Sequence, residues 1–340
     1  MIDLMGRRIG KRTVVFDKKP VIAETASVVG KKESEGPLKS LFDITLSDDK
    51  WGEDSWEKSE SKLQRECVRM LIDKRKICES DIDILFSGDL LNQCVGAHYG
   101  LKDMRVSFLG LFGACSTFCE GMILAAMSVD GGFSKRSVCV TSSHFCSAEK
   151  QFRLPLDYGG QRSPTSQWTV TGAGACVIEE GEGVKISCAT PGRIIDMGIN
   201  DASNMGVAMA PAAADTLMQL FEDTDTKPED YDLILTGDLG TVGSKVLRNL
   251  MKDNGMDISQ NHNDCGCMIF DIDNQDVHAG GSGCGCIASV FSADIFRRLK
   301  SGEIKRMILM ATGALMNTQA INQGESIPSI AHALILEGVE

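Results

Sequence analysis

The sequence repeats itself, and this repeat limits the possible folds more than any other feature. Residues 83–90 read DILFSGDL and residues 232–239 read DLILTGDL, so a short apolar run ends in Gly-Asp in both places. Residues 132–138 (GFSKRSV) and 302–308 (GEIKRMI) form a second matching pair. Matches in the same order predict a duplicated unit, and each copy indicates strands that alternate with helices. Such alternation favours mostly parallel sheets covered by helices, an α/β fold.

The boundary between the two copies is predicted at residues 180–183, which read EGEG and indicate a turn. This divides the chain into an N-terminal half, residues 1–182, and a C-terminal half, residues 183–340. The acidic stretch 255–277 is interpreted as an insertion, because the matching segments lie farther apart in the second half. A chain of 340 residues is long enough to bury a real core in two such units.

Composition excludes several partners and compartments. The net charge is −12 with a pI of about 5.0, so no nucleic-acid partner is expected, since such binding needs a basic face. The 13 cysteines lie in apolar or glycine-rich runs of a long chain, which indicates a reducing, intracellular compartment. No apolar run reaches the ~18 residues of a membrane span, and no signal peptide is visible. The basic N-terminal arm is interpreted as a frayed end in preference to a membrane contact.

Residues 110–121, GLFGACSTFCEG, carry the main functional candidate. The apolar run 106–112 is predicted to be a buried strand, and residues 122–129 are predicted to continue a buried helix. Cys115 then stands at the start of this helix, where unpaired N–H groups and the helix dipole favour negative charge. Either a Cys115 thiolate or an anionic ligand is stabilised in such a place.

The Gly-Asp pairs at the ends of the matching runs are a second candidate. Asp89 and Asp238 follow predicted strands, and open α/β sheets bind ligands at the carboxyl ends of strands. Two carboxylates related by the repeat could hold Ca²⁺, which prefers oxygen ligands. The simpler interpretation, that each Asp caps the helix after it, is favoured. The pairs Cys265-Gly-Cys267 and Cys284-Gly-Cys286 lack the usual spacing of zinc ligands and are interpreted as close packing.

A duplicated α/β unit with a cysteine at the start of its third helix resembles the thiolase superfamily, and the resemblance covers nearly the whole chain. It implies an αβαβα layered fold built from two duplicated halves. Five dispersed motifs are similar to one branch of that superfamily, the stage V sporulation protein AD family. These motifs are residues 110–117 (GLFGACST), 141–153 (TSSHFCSAEKQFR), 167–174 (QWTVTGAG), 209–213 (MAPAA) and 281–286 (GSGCGC).

The resemblance to this family implies a role in dipicolinate uptake by spore-forming bacteria. It implies a protein that binds dipicolinic acid, or its calcium chelate, as the soluble, membrane-associated component of a transport complex. The expected partners are the membrane subunits of the stage V sporulation A complex and a second copy of the chain, since the superfamily forms homodimers. The expected place is intracellular, on the inner spore membrane. No cofactor is expected other than Ca²⁺ that arrives with the ligand.

The resemblance also puts Cys115 at the nucleophile position of thiolases and ketoacyl synthases, but much of their acid/base set is not matched. Condensing enzymes have a His just after the second-half strand, where this chain has Asp238. Residues 278–281 (HAGG) match the thiolase His-Pro-x-Gly only loosely, and residues 311–315 (ATGAL) lack the second thiolase cysteine. A cysteine without a positioned base is a poor acyl-transfer catalyst. We therefore expect a non-catalytic protein; the alternatives are an acyltransferase that uses Cys115 and a purely structural interaction protein.

The ligand implied by the resemblance is a flat aromatic dianion. It needs N–H donors or arginines for its carboxylates and apolar or aromatic surfaces for its ring. Segment 144–168 offers such groups in a long polar stretch, and the alternative is a loop that merely covers the pocket mouth or a dimer interface. The expected ligand residues are Cys115, His144, Asp89, Asp238, Arg153, Arg162, Trp168 and Ser282, with Lys150 as a further candidate.

Overall fold

The computed structural model describes residues 7–152 and 162–339. Its helices are α1 (Trp56–Arg75), α2 (Val95–Leu101), α3 (Thr117–Asp130), α4 (Phe145–Phe152), α5 (Met205–Thr224), α6 (Gly240–Asp253), α7 (Cys265–Met268), α8 (Cys284–Val290), α9 (Phe296–Lys300) and α10 (Thr318–Asn322). Within the described ranges, no helix is both long and apolar enough to cross a membrane. The strands are β1 (Arg7–Ile9), β2 (Thr13–Val15), β3 (Val21–Val29), β4 (Ile44–Thr45), β5 (Ile84–Gly88), β6 (Ser107–Leu111), β7 (Arg136–Ser143), β8 (Trp168–Thr169), β9 (Gly172–Glu179), β10 (Val184–Thr190), β11 (Leu233–Thr236), β12 (His262–Asp264), β13 (Gly281–Ser282), β14 (Arg306–Ala314) and β15 (Ser329–Glu337).

Most strands belong to one large sheet, in the order β12-β11-β14-β15-β10-β3-β9-β7-β5-β6. Its two halves meet where β10 pairs with β3 over only two residue pairs, Val184–Ile22 and Lys185–Val21. Both halves have the same local topology. In the first half, β5 is parallel to β6 and β7, and β7 is antiparallel to β9. In the second half, β11 is parallel to β12 and β14, and β14 is antiparallel to β15.

Two matching aspartates show that the sequence repeat is also a repeat of structure. Asp83 Oδ2 accepts the backbone N–H groups of the Lys-Arg pair at 135–136, where β7 begins. Asp232 Oδ2 accepts those of the Lys-Arg pair at 305–306, where β14 begins. Each carboxylate therefore ties the start of one parallel strand to its neighbour. The turn at 180–183 lies between β9 and β10, and the boundary at residue 182 stays a prediction.

Helices cover both faces of each half of the sheet and give five layers in the order αβαβα. α1 contacts β3, β7 and β9 from one outer side, and α5 contacts β14 and β15 from the other. α3 and α8 lie between the two sheet layers, since α3 contacts strands of both halves and α8 packs on β7 and β9. The layered α/β fold expected from the sequence is confirmed.

The strands are apolar at nearly every position because both of their faces are buried. In β15, Leu334 and Leu336 belong to the central core around α3 and α8. Ala333 and Ile335 alternate with them and pack under α5. β9 divides its residues in the same way between the central core and the core under α1.

The apolar run before Cys115 is predicted to be a buried strand, and this prediction is wrong. The run forms β6 at the edge of the sheet, where Leu109 is 51% exposed. Phe112, just beyond the strand, is 54% exposed. An apolar pattern shows that a strand has a partner surface, but it does not show whether that surface belongs to the same chain.

The prediction that residues 255–277 are an insertion is also incomplete. They contain α7 and β12, and β12 has the place in the second half that β6 has in the first. β12 has three residues, and its His262 and Asp264 side chains both bond to Thr236 Oγ1. A strand this short and polar has no apolar period that a sequence pattern could detect.

Gly174 on β9 lets α8 approach the sheet closely. A Cβ built on Gly174 would lie 2.1 Å from the backbone oxygen of Ala288 in α8. This contact cannot relax by a side-chain rotation, because the atom it meets belongs to the backbone of the central layer. The close approach therefore requires glycine at this position.

We expect Gly174→Ala to lower the free energy of unfolding by about 1–3 kcal/mol, the usual cost of overpacking a core. Urea unfolding followed by circular dichroism measures this change. Gly132→Ala is the control, because its φ of +73° is left-handed but the added Cβ meets open space. The control loses only the ~1 kcal/mol of backbone strain. A Gly174→Ala variant as stable as the wild type would contradict the close contact.

Candidate functional site

Cys115 lies in a 3-10 turn, residues 114–116, between β6 and α3. Ala114 in this turn has a φ of +52°, a left-handed conformation that costs a residue with a Cβ about 1–2 kcal/mol. β14 supports the turn, since a Cβ on Gly313 would lie 2.6 Å from the backbone oxygen of Gly113. Strain of this kind persists only where the surroundings hold it in place, and here it fixes the position of Cys115.

Two side chains from the second half lie against Cys115, which is only 6% exposed. Ser282 Oγ is 3.8 Å from Cys115 Sγ. The Asp238 carboxyl interacts with the same thiol, and its Oδ2 accepts the backbone N–H of Gly283. Asp238 Oδ1 is buried and has no hydrogen-bond partner in the described part of the chain. We call Cys115, Asp238 and Ser282 the floor cluster.

Burial, and not the helix dipole, decides the charge of the floor cluster. Removal from water raises the pKa of the Cys115 thiol well above its usual value, and the nearby Asp238 raises it further. Removal from water also raises the pKa of Asp238 well above its usual value, although its interaction with Cys115 opposes this rise. At neutral pH Cys115 is therefore a thiol beside the Ser282 hydroxyl, and the thiolate interpretation is not supported. These neutral groups can donate hydrogen bonds to an acceptor such as a carboxylate oxygen.

Asp264 performs the capping that the sequence assigns to Asp238. Its carboxylate accepts the backbone N–H groups of Leu239 and Gly240 at the start of α6, at 3.0 and 2.9 Å. Asp238 has a φ of +73°, and it bonds instead to Gly283, the residue that precedes α8. The capping interpretation is therefore wrong for Asp238, because the turn directs its side chain towards the central layer.

Cys115 and Ser282 line a cavity of about 200 Å³, and Asp238 lies buried behind them. Sites for drug-sized molecules measure ~300–1,000 Å³, so this cavity suits a smaller compound. None of its described lining residues is charged, and its other polar side chains are Thr169 and Asn317. The walls are aliphatic and aromatic and include Leu90, Phe112, Phe152, Met205, Leu315 and Met316.

The structure brings together three of the eight ligand residues expected from the sequence, and these form the floor cluster. Arg153 lies outside the described residues. Lys150, the further candidate, forms an ion pair with Glu57 at 2.6 Å. The other four expected residues do not line the cavity; they are Asp89, His144, Arg162 and Trp168.

His144 is buried and uses both ring nitrogens within the protein. Its Nε2 is 2.7 Å from the backbone oxygen of Asp49, and its Nδ1 accepts the N–H of Cys146 at 3.2 Å. Burial lowers the pKa of the His144 ring. His144 is therefore neutral near pH 7 and supplies no positive charge for an anion.

Trp168 and its neighbours support the wall of the cavity. The Trp168 ring stacks on Phe145 with centroids 3.6 Å apart, and Lys32 Nζ lies 3.9 Å from the Trp168 centroid. The Arg162 guanidinium lies 5.1 Å from the same centroid and forms an ion pair with Glu149. This packing holds β8, whose pairing with β13 sets Thr169 beside Ser282. The interpretation of this loop as a cover for the pocket fits these contacts.

Both carboxylate oxygens of Asp89 are engaged by backbone N–H groups. Its Oδ1 accepts the N–H of Leu91, and its Oδ2 accepts that of Ala97 in the first turn of α2, so Asp89 caps that helix as predicted. These bonds use lone pairs that a calcium ion would need. Within residues 7–152 and 162–339, no three side chains of His, Cys, Asp or Glu are grouped to hold a metal. A calcium ion in this cavity would need most of its ligands from a chelator that accompanies it.

Comparison with known proteins assigns the chain to a family. The family model of stage V sporulation protein AD matches residues 10–337. Stage V sporulation protein AD of Bacillus subtilis (strain 168) is 46% identical over 329 residues, which are 96% of this chain and 97% of that protein. The chain belongs to the stage V sporulation protein AD family. It is therefore a sporulation protein, and the resemblance of its five motifs to this family is confirmed.

The fold of this sporulation protein is that of thiolase-like condensing enzymes. The 3-oxoacyl-[acyl-carrier-protein] synthase III of Aquifex aeolicus VF5 matches with a TM-score of 0.54 at 13% identity, over 94% of this chain and 99% of that chain. The tetronic acid condensing enzyme AbyA1 matches with a TM-score of 0.60 at 14% identity, over 94% and 100%. Cerulenin-bound OleA of Xanthomonas campestris matches with a TM-score of 0.59 at 14% identity, over 97% and 98%. Identities this low show a shared fold and leave the activity open.

Several residues of the cavity were not predicted from the sequence. The cavity is also lined by Phe112, Met205, Met316 and Asn317. Met316 and Asn317 follow β14, and Phe112 follows β6. The rule that α/β sheets bind ligands beyond the carboxyl ends of their strands could have found these three. Met205 begins α5, and no local signal marks it.

We expect Asp238→Asn to make Cys115 more reactive. The substitution removes the carboxyl that raises the pKa of the thiol, while the Asn oxygen can still accept the Gly283 N–H. Iodoacetamide should label Cys115 faster in the variant at pH 8, by about 3- to 10-fold, because the thiolate is the reactive form. Mass spectrometry of the labelled peptides measures this, with the exposed Cys78 as the internal reference. Unchanged labelling of Cys115 would show that Asp238 does not control the thiol.

Proposed function

We propose that this sporulation protein binds dipicolinic acid, free or as its calcium chelate, in the cavity above the floor cluster. It does so without catalysis and assists uptake of the ligand into the developing spore, as the soluble, membrane-associated part of a transport complex. The observation that carries the proposal is the buried floor cluster at the base of an apolar cavity. Membership of the sporulation family supports the biological setting.

The shape and polarity of the cavity support a small aromatic acid. The apolar walls, with Phe112, Met205 and Met316, offer contact to a flat ring. The thiol and hydroxyl of Cys115 and Ser282 offer hydrogen bonds to a carboxylate at the floor. Asp238 has a buried carboxyl oxygen without a partner in the described residues, and burial raises the pKa of this group, which favours sharing a proton with such a carboxylate.

The uncharged character of the described lining residues favours a ligand with a reduced charge. A free dianion loses much solvation in an apolar cavity, and the described lining residues include no cation to offset this loss. Sharing a proton with Asp238 removes part of the charge. In a calcium chelate the cation arrives with the ligand, so the charge is already balanced. Both forms are compatible with the floor cluster.

The same cluster argues against acyl transfer. A cysteine nucleophile needs a thiolate and a base that accepts its proton. Burial holds Cys115 as a thiol, and its partner Asp238 raises the pKa of that thiol further, so the reactive thiolate is disfavoured. The described lining residues include no His. The alternative function, a thiolase or ketoacyl-synthase type acyltransferase, is favoured only by the place of Cys115 at the floor of a cavity in this fold.

Cys115→Trp tests the location of the binding site. The indole fills the cavity, so we expect the affinity for dipicolinate in isothermal titration calorimetry to fall by at least ~100-fold, equivalent to about 2.7 kcal/mol. Cys115→Ser is the matched control, because it keeps the cavity and a donor. We expect it to bind within about 3-fold of the wild type. Unchanged affinity in Cys115→Trp would place the ligand elsewhere.

The same variants separate the three candidate functions. An acyl adduct on Cys115 after incubation with acyl-coenzyme A, present in the wild type and missing in Cys115→Ser, would support the acyltransferase. No detectable dipicolinate binding by the wild type would support a purely structural interaction protein. Mass spectrometry of the intact protein detects the adduct. We expect binding and no adduct.

We also propose that the protein forms a homodimer through β6. One side of β6 pairs with β5, and the other side has no strand partner in the described residues. Residues 108–112 read FLGLF, which is the same in both directions, so two antiparallel copies can pair with like residues facing like. Exposed apolar edge strands are prone to this kind of pairing. The pairing would also cover the exposed part of Phe112, which belongs to the cavity wall.

Leu109→Lys tests this dimer. A charge in the middle of the edge strand should prevent pairing, so we expect a dimeric wild type and a monomeric variant in size-exclusion chromatography with light scattering. Phe133→Lys is the control, because Phe133 is 80% exposed but lies in the turn between α3 and β7. It should remain dimeric. A monomeric wild type, or a dimeric Leu109→Lys variant, would rule out pairing through β6.

The remaining partners are proposed on family membership alone. They are the membrane subunits of the stage V sporulation A complex, on the inner spore membrane. The relative from Bacillus subtilis is named as a protein of stage V of sporulation, and its sequence matches almost the whole of this chain.

A further inference from the structure

Asn317 lies where β14 leads into α10, and its side chain caps that short helix. Its Oδ1 accepts the backbone N–H groups of Gln319 and Ala320, at 2.9 and 3.2 Å. These two bonds fix the orientation of the amide, because a flipped amide would set its NH₂ group against two N–H donors. The capping role therefore determines which end of the side chain remains available.

The available end of Asn317 is a hydrogen-bond donor at the cavity. Asn317 lines the cavity and is exposed, whereas Cys115 and Ser282 line it and are buried. Asn317 thus stands at the rim, and the other two stand at the floor. In residues 7–152 and 162–339, Nδ2 of Asn317 has no protein partner. No other described lining residue carries a side-chain N–H group.

We propose that Asn317 is a specificity-determining residue that selects ligands with a second carboxylate. This inference rests on the proposed binding of dipicolinate in the cavity. One carboxylate is recognised at the buried floor by neutral O–H and S–H donors. The second stays at the hydrated rim and accepts an N–H bond from Asn317 Nδ2. A ring acid with a single carboxylate at the floor leaves the Asn317 donor unused, and it therefore binds more weakly.

Asn317→Asp tests this role with little change to the fold. Asp is as good a helix cap as Asn, so the bonds to Gln319 and Ala320 are kept. The donor at the rim is replaced by an anionic acceptor that repels a carboxylate. We expect the affinity for dipicolinate to fall by about 10- to 100-fold. Binding of pyridine-2-carboxylate, which has one carboxylate, should change by less than about 3-fold.

Asn317→Ser separates loss of the donor from added repulsion. Ser also caps helices by accepting at its Oγ, it adds no charge, and its shorter side chain replaces the N–H donor at the rim by a hydroxyl that lies closer to the backbone. We expect its preference for dipicolinate over pyridine-2-carboxylate, measured by titration calorimetry, to fall by about 5- to 10-fold. Thermal unfolding of both variants should match the wild type, which shows that the caps are intact.

The outcomes distinguish the two proposals. If the wild type binds dipicolinate and both variants keep its affinity and its preference, the role of Asn317 is overturned while the binding function stands. If both ligands weaken equally in both variants, Asn317 does not read the second carboxylate, and the role is again overturned. If the wild type binds no dipicolinate, the proposed function fails and this inference fails with it.

Discussion

Burial of the central helical layer is the constraint on which the rest of the structure depends. α3 and α8 are covered by sheet on both sides, so their residues and the strands that face them are apolar or small. The starts of these two helices meet at the floor of the cavity. Cys115 stands before α3, Ser282 and Gly283 stand before α8, and Asp238 bonds to the second of these starts. The site is therefore the place where the two repeats contribute equivalent helix ends to one buried layer.

This burial also decides the chemistry of the site. Two helix starts would stabilise negative charge if they faced water or a shallow cleft. Here the loss of solvation has a larger effect than the helix dipoles, and it raises the pKa of both Cys115 and Asp238. The Cys115 thiol and the Ser282 hydroxyl are therefore neutral donors. Such donors suit recognition of a carboxylate more than attack on a thioester, and the fold shared with condensing enzymes leaves the activity open.

Much of the fold could be predicted from the sequence, because the features that carry it are local or repeated. The Gly-Asp and Lys-Arg matches predicted the duplication, and apolar runs predicted most strands. The cavity was predicted less well. His144, Arg162 and Trp168 are polar or aromatic residues of the segment 144–168, and they contact other parts of the protein and do not line the cavity. A sequence pattern records that such residues need partners, but it does not record which partners they find.

The sequence by itself determined the α/β class, the duplicated plan and the place of Cys115 at a helix start in the central layer. The tertiary structure alone decided that Asp238 bonds to Gly283 before α8 while Asp264 caps α6, that β6 is an exposed edge, and that burial raises the pKa of the thiol and of its acid partner. The physical reason is the range of the interactions. Strand and helix patterns depend on neighbours along the chain, whereas a pKa or an exposed edge depends on contacts between residues more than 100 positions apart, such as Cys115 and Ser282.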